Sequence, residues 1–492
     1  MKKYILSVDQ GTTSSRAILF DKNGNVIRQS QYEFAQIYPH PGWVEHDPDV
    51  IYNTVKKAIR DVIEGVEHEV ACMGITNQRE TTVVWNKTTG KPVYNAIVWQ
   101  CRRTADEIEK LKNTKEEEYI REKTGLVPDA YFSASKIKWI LDNVEGVKEQ
   151  AENGELCFGT VDTYLLFRLT GGKIHATDYT NASRTMLFDI HEKKWDERLC
   201  EIFSVPETIL PEVYPSGHKF GISEESEIGA SIDICSLVGD QQSALFGQKC
   251  WERGDVKNTY GTGCFLLMNT GDTAIKSKRG LICTLGACVE GESVPFVSEG
   301  SVFMGGAVIQ WLRDEMRMLE KSSDSEALAL SVPDTEGVYI VPAFVGLGAP
   351  YWDSNARGIV CGLTRGANRA HFVRAGLESI AYQTYDVLKA MEDDLGVRVK
   401  ELKVDGGACA NNFLMQFQSD ISDVDVIRNS NLESTAMGAG FLAGLACGFI
   451  KDKSEIRRCG EYTVFSPSIP ENVRNERLNG WVNAVAKARS NQ

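Results

Sequence analysis

The chain opens with short runs in which apolar and polar positions alternate. Tyr4 to Val8, Arg16 to Phe20 and Val26 to Gln31 each read as strands. A Gly/Thr/Ser turn at 11–15 and the turn DKNGN at 21–25 separate them. A helix follows with a defined start, because Asp47 can accept from free N–H groups and Pro48 fits the first helical position. Val50, Ile51, Val55, Ala58, Ile59 and Val62 then recur at the helical period, and Gly65 ends the run. A strand at 70–75 completes a βββαβ opening.

A comparable opening recurs downstream. Asp255 to Tyr260 and Phe265 to Asn269 are strand-like and joined by the turn GTGC at 261–264. The pattern then predicts a helix from about 302, a strand near 337–342 and a long helix over 370–392. A strand at 401–404, a helix from about 412, a strand at 424–427 and a helix over 434–449 complete it. Two such openings, each followed by alternating helices and strands, predict two α/β domains, 1–250 and 251–492. Residues 108–123 read as a charged, solvated helix.

The 492 residues carry 54 Lys+Arg against 68 Asp+Glu, a net charge of −14, which argues against a general nucleic-acid binder. Hydrophobic residues at 42% suffice for more than one core. The longest uncharged stretch, TAMGAGFLAGLACGFI at 435–450, is shorter than the ~20 residues of a membrane span. Its glycines at 440, 444 and 448 share one helical face and predict a tightly packed soluble helix. Thirteen cysteines lack any CxxC spacing, and MKKYILSVDQ is no secretory signal, so the expectation is a cytoplasmic protein with reduced thiols.

Five segments carry candidate chemistry, and each also has a plainer reading. In DQGTTSSR (9–16), Asp9 can hold Mg²⁺ through water. The N–H groups and hydroxyls of Thr12, Thr13 and Ser14 can face a phosphate, with Arg16 adding a charged contact; a polar hairpin turn explains the segment equally well. Thr262 in GTGC occupies the matching place in the second half, or a second hairpin. VDGGACANN (404–412) lets a flat ligand approach glycine before a helix N-terminus, or simply joins strand to helix. Asp240 in LVGDQQSALFG (237–247) can accept an alcohol proton or cap a helix. Arg79 and Glu80 in ITNQRETTVVW (75–85) can both reach one small polyol or form a surface ion pair.

In this order the segments resemble the FGGY family of carbohydrate kinases. The likeness includes NAIVWQCRRT (95–104), YFSASKIKWILDN (131–143), NTYGTGCF (258–265) and DGGACANNFLMQFQSD (405–420). The resemblance implies a two-domain actin-like ATPase fold, each domain with a ribonuclease-H-like core, and a ligand cleft between them. It implies ATP-dependent phosphorylation of glycerol to sn-glycerol 3-phosphate, with another small polyol or ketose as the alternative substrate. Carried over by motif, glycerol contacts Arg79, Glu80, Trp99, Tyr131, Asp240, Gln241 and Phe265, with Asp240 as general base. The nucleotide contacts Thr12, Thr13, Ser14 and Arg16 on one side, and Thr262, Gly306, Gln310, Gly407 and Asn411 on the other. Asp9 and Asp240 organise Mg²⁺, and a homo-oligomer, dimer or tetramer, is implied. One branch of the family carries a Gly-Gly…Arg loop for fructose 1,6-bisphosphate and another a phosphorylated histidine. Residues 222–237 have no such loop, and residues 219–239 no histidine.

Overall fold

The computed structural model describes residues 2–353, 355–430, 433–456 and 461–490. Two mixed sheets organise the chain. In the first, the strands run Gly217–Ile222, Asp233–Gly239, Val70–Asn77, Tyr4–Gln10, Ser14–Asp21, Val26–Glu33. In the second, they run Tyr462–Phe465, Asp425–Asn429, Glu401–Asp405, Val256–Tyr260, Cys264–Gly271, Phe296–Val302, Ile282–Leu285. The central strand of each sheet has the same neighbours: Tyr4–Gln10 pairs antiparallel with Ser14–Asp21 and parallel with Val70–Asn77, and Val256–Tyr260 does the same with Cys264–Gly271 and Glu401–Asp405. The two openings in the sequence are therefore one topology used twice.

Alternation along the strands sorts side chains onto two faces. Leu6, Val8, Ala17 and Leu19 face the helix Pro48–Ile63, where Val55, Ile59 and Val62 complete the cluster. Asp47 caps that helix, accepting from the N–H groups of Asp49 at 2.9 Å and Val50 at 3.3 Å. Ile5, Ile18 and Phe20 face the other way, onto the helix Ser434–Ala446. That helix comes from the second half of the chain yet covers the first sheet. Contact there is close enough to require glycine: a Cβ at Gly74 would lie 2.3 Å from the carbonyl of Ala439, and one at Gly438 would lie 1.9 Å from that of Ser243. The hydroxyls of Ser7, Ser236 and Ser243 donate to helix carbonyls at 2.6–2.7 Å, so the polar groups sealed in by this approach are satisfied.

Four expectations need correction. The helix placed from about 302 begins at Ala307, because Phe296–Val302 is a strand buried along its whole length and paired to Cys264–Gly271. The strand near 337–342 is Tyr339–Val341, and it forms a separate ribbon with Ile359–Cys361. The charged helix at 108–123 is two helices, Ala105–Glu109 and Lys115–Thr124. Thr114 restarts the second by accepting from the N–H of Glu117 at 3.3 Å. Gly448 lies beyond the end of Ser434–Ala446, with φ +73°, so only Gly440 and Gly444 share the helix face.

Candidate active site

The strand Val70–Asn77, paired on both sides within the first sheet, ends at Asn77, and the chain then turns sharply through Arg79 and Glu80. Glu80 has φ +58°, a left-handed conformation that costs a non-glycine residue about 1–3 kcal/mol. The two side chains are 2% and 1% exposed, which excludes the surface ion pair. A buried charge needs partners, and here they come from far along the chain. Both Nη atoms of Arg79 donate to the carboxylate of Glu299, at 2.7 and 3.0 Å, and Nη1 also donates to Gln242 Oε1 at 3.1 Å. Arg184 donates from Nε to Glu80 Oε1 at 2.6 Å and from Nη2 to Glu299 Oε1 at 3.0 Å. Two guanidiniums and two carboxylates therefore close a neutral network.

Burial alone would push the Glu299 carboxyl up, but the cations of Arg184 and Arg79 outweigh it and hold it at about 2. Sequence reasoning missed both Glu299 and Arg184. Neither carries a local motif, and their relation to Arg79 and Glu80 exists only once the sheets are assembled.

Asp240 is the first residue of the helix Asp240–Gly247, with Gly239 at the N-cap position. Its side chain is 30% exposed, and Oδ1 lies 3.4 Å from Arg79 Nε. Burial raises its pKa to about 6; Arg79 and Lys257 oppose that rise, while Glu80 and Asp9 reinforce it. Gln241 accepts from Lys257 Nζ at 2.5 Å, and Lys257 also donates to Thr259 Oγ1 at 2.7 Å. Gly239 must be glycine, since a Cβ would stand 2.8 Å from the Arg79 Cδ.

An aromatic wall adjoins these charges. Trp99 packs edge-on to Tyr131 at 5.6 Å and to Phe265 at 6.5 Å between ring centres. Arg184 lies 5.7 Å from the Tyr131 ring centre. Lys136 fixes the Tyr131 loop from beneath, donating to the carbonyls of Ala130, Tyr131 and Phe132. Phe265 comes from the second sheet and Trp99 from the first half, so both halves line the pocket. Of the seven residues expected at the polyol, Arg79 lies within 3.6 Å of both Glu80 and Asp240, Trp99, Tyr131 and Phe265 form the aromatic group, and Gln241 follows Asp240 on its helix.

The residues expected at the phosphates and nucleotide are more open. Trp99 Nε1 donates to Thr12 Oγ1 at 3.0 Å, which ties the turn at 11–13 to the pocket. Gln31 donates to Ser14 Oγ at 2.9 Å, and Thr13 is exposed. Arg16 binds Asp9 Oδ2 at 2.6 Å and Glu433 at 2.7 Å. In the second half the carbonyl of Thr262 accepts from Gly305 N at 2.8 Å and Ala307 N at 3.2 Å, and Gly306 N donates to Gly261 O at 2.8 Å. Gln310 on the following helix and Gly407 after the strand Glu401–Asp405 are exposed. A Cβ at Gly407 would meet nothing, so its small size leaves open surface. Asn411 caps the helix Asn412–Ser422.

Among the described residues no group of three or more His, Cys, Asp or Glu side chains could hold a metal ion. A pair of carboxylates such as Asp9 and Asp240 still suits Mg²⁺, which takes one or two carboxylates and fills its remaining positions with phosphate oxygens and water. Asp405 Oδ1 is buried without a hydrogen-bond partner, while Oδ2 accepts from Gln248 Nε2 at 2.8 Å.

The N-terminal domain of the FGGY family of carbohydrate kinases matches residues 4–247, and its C-terminal domain matches residues 256–447. A glycerol kinase of Symbiobacterium thermophilum is 58% identical over 492 residues, 99% of each chain. One from Clostridium botulinum shows the same identity and coverage. Among solved structures, Plasmodium falciparum glycerol kinase with ADP superposes with a TM-score of 0.93 at 35% identity, covering 99% of this chain and 98% of that one. The gluconate kinase of Lactobacillus acidophilus reaches 0.89 at 23% identity, covering 100% and 99%, a likeness of fold.

Proposed function

The chain belongs to the FGGY family of carbohydrate kinases and has its two-domain actin-like fold, and from that premise we propose how its site works. The enzyme transfers the γ-phosphoryl group of ATP to a terminal hydroxyl of glycerol, giving sn-glycerol 3-phosphate and ADP. The observation that carries the reading of the site is the buried Arg79–Glu80 pair beside a partly exposed Asp240, walled by aromatics from both halves.

Glycerol has three hydroxyls on a short carbon chain. Arg79 donates to its oxygens, while Glu80 and Asp240 accept from them. Trp99 and Phe265 cover the carbons, with Tyr131 and Gln241 at the edges. Asp240 is the general base. A pKa of about 6 leaves it mostly ionised at neutral pH and still basic enough to take the hydroxyl proton as the new P–O bond forms. Phosphoryl transfer passes through a loose transition state, so most of the catalysis is positioning and charge neutralisation. Thr12, Thr13, Ser14 and Arg16 approach the phosphates from the first half. Thr262, Gly306, Gln310, Gly407 and Asn411 hold the nucleotide from the second. Asp9 and Asp240 would hold Mg²⁺, which when bound would neutralise phosphate charge.

We place the enzyme in the cytoplasm, a reading supported by the described cysteines, all free thiols. No helix among the described residues is long and apolar enough to cross a membrane. The test is ADP release with and without glycerol, run beside a panel of other polyols and ketoses. Release that depends on glycerol at millimolar concentration is expected; release indifferent to glycerol refutes the assignment.

A further inference from the structure

Glu299 is fully buried, and it belongs to the second sheet, on the strand Phe296–Val302. Its carboxylate is nevertheless spent on two arginines of the first half, Arg79 and Arg184. Breaking such a network is costly, but that cost does not show why a charged pair stands here. A buried ion pair replaced by well-packed apolar residues is often as stable or more so, so a carboxylate kept here calls for another reason.

The geometry of Arg79 supplies one. Glu299 and Gln242 take three of its N–H bonds, and the backbone of Gly239 closes off the space beside its Cδ. Of its five N–H bonds that leaves one on Nη2 and the Nε–H, and Nε lies 3.4 Å from Asp240 Oδ1 and 3.6 Å from Glu80 Oε1. Both distances exceed the ~2.7–2.9 Å of a closed charge-assisted hydrogen bond. Without Glu299, only the single bond to Gln242 Oε1 would hold the guanidinium back from either carboxylate. An Arg79 paired tightly to Asp240 would occupy the oxygen that has to receive the proton.

We propose that Glu299 is a positioning residue of the second half: it holds the Arg79 guanidinium back from Asp240 and Glu80, leaving all three groups open to the polyol. The inference rests on the reading of Arg79 as a polyol contact. It also means that the polyol pocket is complete only with the two halves docked.

Steady-state kinetics for glycerol and for ATP in the full chain test this, across wild type, E299Q, R79A and R79A/E299Q. E299Q is expected to lower kcat/KM for glycerol on the order of 10²-fold while leaving the KM for ATP unchanged. In the R79A background the same change is expected to cost nothing further, because its effect runs through Arg79. E299D, which keeps the charge, recovers part of the loss. Equal losses in both backgrounds, or a KM for ATP that rises with that for glycerol, would reduce Glu299 to structural support and overturn the inference. Should E299Q not fold, E299D takes its place in the same cycle: a loss confined to the Arg79 background supports the inference, and equal losses overturn it. An R79A enzyme with untouched glycerol kinetics would instead overturn the reading of the pocket itself.

Discussion

The proposed polyol side and the proposed nucleotide side of this site are built on opposite plans. The first is made of charged side chains, buried and cross-paired, and its shape depends on electrostatics. The second is made of glycines, short hydroxyl residues and helix ends, and its shape depends on what is left out. Arg79, Glu80, Arg184 and Glu299 have almost no exposed surface, whereas Thr13, Thr262, Gln310 and Gly407 are open. A small polyol offers only a few hydroxyls, so the pocket must fix each donor and acceptor in advance. A nucleotide brings its own charge and a large flat surface, and backbone can meet it. Substitutions on the first side should therefore disturb chemistry and folding together, and those on the second should act mainly on nucleotide affinity.

The largest effect expected is that of Asp240→Asn, which removes the proton acceptor while keeping the shape. Turnover should fall about 10²–10⁴-fold with nucleotide affinity retained, measured by coupled ADP release and by nucleotide titration. Arg184→Met comes next, because it leaves Glu80 and Glu299 buried with one cation between them. Urea unfolding should show a loss of about 3–5 kcal/mol, accompanied by weaker glycerol use.

Acid pH probes the same network. A carboxylate held at about 2 against an ordinary 4.5 contributes stability that is complete above 4.5 and lost as the pH falls through about 2. The stability gap between wild type and E299Q, followed by urea unfolding at stepped pH, should be constant above pH 4.5 and close below it. On the nucleotide side, Gly407→Ala meets no atom of the protein, so stability should change by less than about 0.5 kcal/mol. The KM for ATP should nevertheless rise several-fold, with that for glycerol unmoved. Asp47→Ala, far from both sides, should cost about 1 kcal/mol through the lost cap and leave kinetics unchanged.

The two plans also differ in how far they can be read from sequence. The nucleotide turns are local, and 9–16, 261–264 and 404–412 show their glycines and hydroxyls within a few residues. Arg79 and Glu80 are visible as neighbours, but their burial is not, because an adjacent Arg-Glu pair is usually a surface feature. Their partners lie 220 and 104 residues away, at Glu299 and Arg184, and meet them only through sheet topology. The strand carrying Glu299 escapes the pattern for the same reason. Phe296–Val302 is buried on both faces with Ser298, Glu299 and Ser301 inside, so it shows no alternation of apolar and polar positions. The helix Ser434–Ala446 is legible as a tightly packed apolar helix; its docking on the opposite sheet is not, because small residues permit close contact without naming the partner.

A structure of the full chain crystallised with glycerol and a non-hydrolysable ATP analogue would probe the proposed chemistry at its centre. The polyol should lie among Arg79, Glu80, Tyr131 and Asp240, with a terminal hydroxyl in hydrogen-bond reach of the Asp240 carboxylate and facing the γ-phosphate. Glycerol bound elsewhere, or an Asp240 carboxylate closed onto Arg79 with the polyol in place, would contradict that mechanism.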